Sequence, residues 1–258
     1  MNQYKTCSEL KQIARKKLSG NYGSAMLVSP VIQYGLAFIV AIPVVFMFLI
    51  PIGMATLLNN SEPNLLIITL ATYLIMIPLA GLFSVLNTGI SLFYLNIACG
   101  RKHSVADMFY GFRTQFKKSF TLSVIVICVS YVCMLPYQIL NCFTSLNPQT
   151  EWILLMLIVY IIGIVIYIPI QLSLSQCFYL LLDFPDYSVK ELLKLSVQVM
   201  KGHKKRLLYI QLSFIPVQLL CILSFYIGYL WVIPYMNMTT TEFFLDIMKP
   251  QETRTEQY

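Results

Sequence analysis

The sequence predicts an all-α, polytopic membrane bundle made of three repeats, each an interfacial amphipathic helix followed by a transmembrane hairpin. Of the 258 residues, 58% are hydrophobic and 11% are charged, whereas soluble domains carry about 25% charged residues. All the lysines and arginines except Lys249 and Arg254 fall in the stretches 1–21, 100–118 and 183–206. Runs of more than 30 residues without Asp, Glu, Lys or Arg separate these stretches, and about 20 residues suffice to cross a bilayer.

Residues 1–258 are interpreted as one integral membrane domain with repeat units of approximately 1–98, 99–182 and 183–258. The apolar run 18–61 is too long for a cleaved signal peptide, whose apolar region has about 7–15 residues, so we interpret it as an uncleaved anchor. The basic residues lie beside the apolar runs, a pattern typical of cytoplasmic loops and of contact with anionic headgroups. We therefore expect a cell-membrane protein whose partners are the lipid bilayer and anionic phospholipids, and no nucleic acid; the sequence identifies no protein partner.

Each basic stretch begins with a hydroxyl residue followed three positions later by an acid, which is the pattern of a helix-capping box. The three pairs are Thr6–Glu9, Ser104–Asp107 and Ser188–Glu191. Apolar residues then recur at helical spacing and a basic pair follows, which is typical of an amphipathic helix in the membrane interface. The predicted lipid-headgroup contacts are Lys16, Lys17, Lys117, Lys118, Lys204, Lys205 and Arg206.

After each interfacial helix the repeat predicts two spans. They are 22–58 with 64–98, 119–141 with 152–182, and 207–227 with 229–248. The first two connecting turns contain no Lys or Arg, so both should face outward. The third pair would have to turn at Gly228, which leaves two interpretations: six spans with the C-terminus inside, or five with it outside. We prefer six because the repeat demands an even number, and six spans place both termini in the cytoplasm.

The sequence predicts no catalytic residue, metal ligand or cofactor site. The spans hold essentially no ionisable group if Glu242 lies near the inner end of the last one, and the seven cysteines lack the spacing of a zinc site. Uncharged polar residues in the spans share helical faces in pairs: Asn87 with Ser91, Gln171 with Ser175, and Gln211 with Gln218. Interhelical hydrogen bonds of about 0.6 kcal/mol each and a polar substrate cavity both remain open as explanations.

Six segments along the chain carry a family resemblance. They are LSGNY at 18–22, DMFYGF at 107–112, DFPD at 183–186, MKGHK at 200–204, LSFI at 212–215 and IGYLWVIPY at 227–235. In this order they resemble the domain of unknown function 975 family of Gram-positive bacterial integral membrane proteins, over nearly the whole chain. The family usually has Asn where this chain has Phe184, and its usual pattern also differs at Pro216. The resemblance implies an all-helical membrane protein without an established activity.

Three functions are compatible with these patterns. The leading hypothesis is a non-enzymatic envelope or accessory component that contacts anionic lipid through the three basic helices. The second is a transporter or exporter of a small apolar or lipidic molecule, which would need the polar cavity described above. The third is a membrane enzyme acting on lipid headgroups, with Asp183, Asp186 or His203 as candidates, although nothing in the sequence specifies a reaction.

Overall fold

The computed structural model describes residues 4–33, 77–146 and 150–255, and every regular element in these ranges is helical. Most of the predicted span 22–58 and the polar turn that follows it lie outside the described residues. The α-helices are α1 Cys7–Leu18, α2 Tyr22–Met26, α3 Leu86–Ala98, α4 Tyr110–Arg113, α5 Phe116–Leu146, α6 Thr150–Leu174, α7 Cys177–Asp183, α8 Val189–Val199, α9 Lys204–Leu212, α10 Ile215–Leu223 and α11 Tyr229–Thr255. Helix α2 continues into a π-helix, Leu27–Gln33, and a 3₁₀-helix, Val105–Phe109, precedes α4.

Four helical segments within the described ranges are long and apolar enough to cross a membrane. They are Ile77–Ala98, Phe116–Asn141, Leu154–Asp183 and Lys204–Leu223, and they fall on four of the predicted spans. The predicted span 229–248, which lies within α11, is not among these four segments. Helices α5 and α6 pack against each other along their length. Most large apolar side chains on the outer face of α6, such as Leu154 and Val165, are exposed, as expected for a surface that faces lipid hydrocarbon.

All three predicted capping boxes form in the structure. In the first, the amide of Thr6 donates to the Glu9 carboxylate at 2.7 Å, and the amide of Glu9 donates to the Thr6 hydroxyl at 3.3 Å. Ser188 and Glu191 form the same reciprocal pair, with the Ser188 amide 2.7 Å from the carboxylate. Because these donors favour the ionised carboxylate, they hold the pKa of Glu9 and of Glu191 below the usual value.

The predicted apolar faces of α1 and α8 are buried, but by protein. Leu10, Ala14 and Leu18 are fully buried where α1 packs against α11 and α3. On α8, Leu192 and Val199 join a core that also contains residues of α7 and α11. The two helices are therefore parts of the bundle: their apolar stripes are covered by protein, and most of their charged residues are exposed, although Lys17 on α1 reaches a buried carboxylate.

The second basic stretch forms two short helices where the spacing predicts one amphipathic helix. The 3₁₀-helix and α4 are separated from α5 by a break at residues 114–115. This short pair packs closely on α3 through two glycines: a Cβ on Gly89 would lie 2.0 Å from the Met108 carbonyl oxygen, and one on Gly111 would lie 2.7 Å from the Val85 carbonyl oxygen. The chain must leave this contact before α5 can start in another direction, so one continuous helix does not form.

Helices α9 and α10 and helix α11 form an antiparallel hairpin. The chain reverses at residues 224–228, where Phe225 and Tyr226 take left-handed φ angles of 51° and 67°. Between the two arms of this hairpin, the Gln218 side-chain amide on α10 contacts the Met236 sulfur on α11 at 3.4 Å. The predicted reversal near Gly228 is therefore present, and α11 returns toward the end of the bundle at which α9 begins.

Candidate functional site

Two carboxylates on α11, Glu242 and Asp246, are buried inside the bundle. Their exposed fractions are 4% and 6%, and a spacing of four residues places both on one face of the helix. Their neighbours Phe243, Phe244 and Ile247 belong to the buried apolar core. A buried carboxylate is costly unless it is paired and hydrogen-bonded, and each of these two has a cationic partner.

Glu242 pairs with Lys17 at the end of α1. The Lys17 ammonium lies 2.7 Å from Glu242 Oε1 and also donates to the Ala98 carbonyl oxygen at 2.7 Å. The side chain of Lys17 is 34% exposed whereas that of Glu242 is 4% exposed. One ammonium therefore joins three elements: α1, the C-terminal end of α3, where carbonyls lack helical partners, and α11.

Asp246 forms an ion pair with Arg206, which lies in the first turn of α9. The guanidinium donates to the Asp246 carboxylate and to the Lys5 carbonyl oxygen. The Lys5 amide in turn donates to Asp246 Oδ2 at 3.2 Å. The guanidinium also lies 5.2 Å from the ring centre of Phe243 and 5.4 Å from that of Tyr4, within cation–π range.

His203 borders this arrangement without joining a metal-ligating cluster among the described residues. Its ring meets that of Tyr4 edge-on, with 4.6 Å between the ring centres. Burial, with the Arg206 charge adding to it, lowers the pKa of His203 below its usual value, while Asp246 opposes the shift. These contacts favour the neutral form of the imidazole.

A cavity of about 940 Å³ opens beside the two ion pairs. It lies between α1, the end of α3, the loop after α7 and helix α11, with apolar side chains such as Leu95, Leu195 and Leu245 on its walls. The charged residues that line it are Lys5, Lys17, Arg101, Asp183, Glu242, Asp246 and Lys249. Its volume is in the range of small-molecule sites in proteins, about 300–1,000 Å³.

Residues 1–251 match the model of a protein family that is described as "Protein of unknown function (DUF975)". The chain belongs to the DUF975 family. No curated protein and no solved structure matches it. Family membership spans α1 to most of α11, including the ion pairs and the cavity, and it gives the site a family context without assigning a reaction.

The structure separates the seven predicted headgroup contacts of this DUF975 protein into two groups. Lys16, Lys117 and Lys205 are exposed and Lys204 is half-buried. The other three make contacts within the protein: Lys17 and Arg206 in the ion pairs, and Lys118 with the Pro185 carbonyl oxygen. Among the described residues, the ammonium groups of Lys16, Lys117 and Lys205 are therefore the predicted contacts most accessible to a surrounding surface.

The six predicted cavity residues occupy different environments in the DUF975 fold. Asn87 donates to the Ser84 hydroxyl at 3.0 Å, Ser175 donates to the Leu172 carbonyl oxygen at 2.8 Å, and Gln211 is exposed. Ser91 is buried, Gln171 is half-buried, and Gln218 lines a separate cavity of about 500 Å³ that the other five do not line. The role of these residues in a substrate cavity stays a prediction.

Sequence reasoning missed the paired carboxylates of this DUF975 chain. Glu242 was expected near the inner end of a span, and its placement against Lys17 could not be expected from local pattern because 225 residues separate the two. A signal was present, however. Glu242 and Asp246 are four residues apart within an apolar segment, so on a helix both carboxylates share one face among buried neighbours.

Proposed function

We propose that this DUF975 protein is a non-enzymatic accessory component of the cell envelope that spans the cell membrane six times and rests its basic end on anionic lipid. Both termini lie in the cytoplasm in this proposal. The observation that carries it is the position of the exposed basic residues: Lys117 and Lys205 lie in the first turns of two candidate spans, and Lys16 lies on α1 beside Lys17, which contacts the end of α3. Such clusters beside spans are typical of cytoplasmic loops.

The order of the candidate spans supports this orientation. Two of them end at Ala98 and Asp183, and two begin at Phe116 and Lys204, so the two basic linkers lie at the same end. Helix α11 returns to this end, as its ion pair with Arg206 shows, which favours an even number of spans. The three matching capping boxes favour the threefold repeat.

The proposed topology is tested by a reporter fused after Tyr258. A cytoplasmic signal is expected, with a second reporter in the segment between α5 and α6 giving the opposite, extracytoplasmic signal as an internal control. An extracytoplasmic signal from the fusion after Tyr258 would contradict the six-span arrangement and favour five.

The proposed lipid contact depends on the exposed ammonium groups of Lys16, Lys117 and Lys205. Each basic side chain near an anionic surface contributes about 1 kcal/mol. We expect the triple Lys→Gln variant, reconstituted in nanodiscs of phosphatidylglycerol and phosphatidylcholine, to lose much of the phosphatidylglycerol enrichment around the wild-type protein. The triple Lys→Arg variant keeps the charges and should keep the enrichment. Equal enrichment for the Gln variant and the wild type would show that these lysines do not recruit anionic lipid.

A transporter of a small apolar or lipidic molecule is the second candidate, and the π-helix around Pro30 favours it. π-Helices are rare and frequently occur at functional sites, and Pro30 lines the cavity of about 500 Å³ together with Gln218 and Asn237. Nearby, Asn237 donates to the Ser29 hydroxyl at 3.1 Å, and that hydroxyl lies 2.6 Å from the Tyr94 hydroxyl. The change from α-helix to π-helix at Leu27, with polar partners beside it, is the kind of local irregularity that transporters place at substrate sites.

Lipid and exometabolite profiles of a deletion strain test this second candidate. Accumulation of a compound inside the cells, reversed by the wild-type gene but not by an Asn237→Leu variant present at equal level, is the expected result for a transporter. Profiles that match those of the parent strain would remove the candidate.

A further inference from the structure

We propose that the cavity of about 940 Å³ beside the Lys17–Glu242 pair binds the phosphate headgroup of one anionic lipid. This inference rests on the proposed function in one respect, the placement of the basic end at the cytoplasmic headgroup layer. It goes further because it assigns a defined site, a stoichiometry of one lipid and specific residues. The residues of this site do not include the exposed Lys16, Lys117 and Lys205.

The position of the cavity is the first argument. Its lining includes Ala98 and Asp183, the residues at which two candidate spans end. A helix that crosses the hydrocarbon core ends close to the headgroup layer. The cavity therefore lies at the depth at which a lipid phosphate is found.

The charge of the cavity is the second argument. Two of its carboxylates, Glu242 and Asp246, form ion pairs, one with Lys17 and the other with Arg206, which lies outside the lining. The remaining lining charges are the cations Lys5, Arg101 and Lys249 and the carboxylate Asp183. This excess of positive charge favours an anionic ligand, and Lys and Arg are the side chains that bind phosphate oxygens through charge-assisted hydrogen bonds.

The two ion pairs themselves give the cavity a fixed wall. Each cation donates to two acceptors. Lys17 donates to the Glu242 carboxylate and to the Ala98 carbonyl oxygen, and Arg206 donates to the Asp246 carboxylate and to the Lys5 carbonyl oxygen. Side chains held in this way lose little further freedom when a ligand binds, and such preorganisation lowers the entropic cost of binding. In this proposal the buried carboxylates position the cavity, while Lys5, Arg101 and Lys249 bind the ligand.

The apolar part of the lining distinguishes a lipid from a soluble phosphate. Ile13, Leu95, Leu195 and Leu245 lie beside the charged residues. A soluble phosphate leaves this apolar surface in contact with water, whereas the first methylenes of a lipid chain can cover it while the phosphate meets the charged residues. The ligand class that uses both parts of the cavity is a phospholipid with net negative charge.

Native mass spectrometry of the detergent-solubilised full chain tests the proposal. The probes are dioleoyl phosphatidylglycerol, dioleoyl phosphatidylcholine, which has the same chains without net charge, and glycerol 3-phosphate, which is a phosphate ester without chains. We expect one phosphatidylglycerol per protein to be retained at least tenfold more strongly than either control. Equal retention of phosphatidylcholine would overturn the charge argument, and equal retention of glycerol 3-phosphate would overturn the assignment to lipid.

Substitutions then locate the site. The variant Arg101→Gln/Lys249→Gln changes two exposed side chains, so it should fold, and its melting temperature and elution volume check this. We expect it to lose the retained phosphatidylglycerol at least tenfold, and Leu195→Trp, which fills the apolar wall without altering charge, to lose it as well. Retention at wild-type strength in the folded double variant would overturn the site.

The triple Lys→Gln variant of the exposed lysines separates this inference from the proposed function. It should lose the general phosphatidylglycerol enrichment in nanodiscs and yet retain the single tightly held lipid in detergent. If the triple variant keeps its enrichment while the cavity variant loses its lipid, the proposed surface role is wrong and the cavity site stands. If the triple variant loses its enrichment while Arg101→Gln/Lys249→Gln retains the single lipid at wild-type strength, the surface role stands and the cavity site is wrong.

Discussion

Replacing Lys17 with Met should destabilise the protein far more than the same replacement at Lys16, its neighbour on α1. Both changes remove one ammonium from the same helix. Lys16 is exposed, whereas the ammonium of Lys17 is the cationic partner of Glu242 at 2.7 Å. The two variants therefore separate the effect of a paired charge from the effect of net charge.

The size of the effect follows from the exposure of the partner. Glu242 is 4% exposed, so without Lys17 its carboxylate has neither its cation nor access to bulk water. Removing one partner of a buried ion pair costs about 3–5 kcal/mol. At about 2–4 °C per kcal/mol for a chain of this size, we expect Lys17→Met to lower the melting temperature by roughly 6–20 °C. Lys16→Met should change it by less than about 2 °C, as surface substitutions usually do.

Thermal unfolding in detergent, followed by tryptophan fluorescence or by loss of the monomer peak, measures both variants. Glu242→Met should cost less, about 1–3 kcal/mol, because Lys17 keeps the Ala98 carbonyl and is 34% exposed. The double variant Lys17→Met/Glu242→Met leaves no unpaired charge and should recover most of the loss. Equal melting temperatures for Lys17→Met and Lys16→Met, or a double variant worse than both single variants, would refute the reasoning.

Two contacts of the fold give further predictions. Gly89→Ala places a methyl group 2.0 Å from the Met108 carbonyl oxygen and should prevent α3 from packing on the 3₁₀-helix, with at least about 3 kcal/mol lost; Gly23→Ala, with open space around it, should be neutral or slightly stabilising in the same melting assay. Ser188→Ala removes the cap of α8 and should cost about 1 kcal/mol, visible as a lower melting temperature and as faster amide exchange at the start of α8. The pKa of Glu191 is lower in the folded chain than its usual value. The ionised carboxylate therefore adds to folding stability above the usual pKa, and this stabilisation is lost as the pH falls through the folded pKa. When the stability of Glu191→Gln is measured as a function of falling pH, this part of the wild-type decrease should be missing.

Local chemistry accounts for what the sequence predicts well. The helical content, four of the spans and the three capping boxes depend on residues within a few positions of one another, such as Thr6 and Glu9. The apolar faces of α1 and α8 follow from helical spacing in the same way, and Leu10 and Leu192 are buried as that spacing predicts. In each of these cases the physical cause is contained in one helix turn or one helix face.

The parts that sequence does not predict depend on distant partners. Periodicity identifies the stripe of Leu10, Ala14 and Leu18 but does not distinguish lipid from α11 as the surface that covers it. The roles of Lys17 and Arg206 differ from those of the exposed Lys16 and Lys205 although each pair is adjacent in sequence, because only tertiary packing places a carboxylate beside one and not the other. The break before α5 depends on a close approach to α3, which no local pattern contains.

The packing of α1 on α11 has a consequence for how the chain is made. Lys17 and Glu242 are 225 residues apart, so at about 5–20 residues per second α1 leaves the ribosome roughly 11–45 s before its partner is synthesised. During that interval α11, the helix that makes most of the contacts with the stripe of Leu10, Ala14 and Leu18, is absent, and a capped amphipathic helix with basic residues can bind the membrane surface. The same helix would thus be peripheral to the bilayer during synthesis and become part of the bundle when α11 arrives, making its docking a late event in assembly.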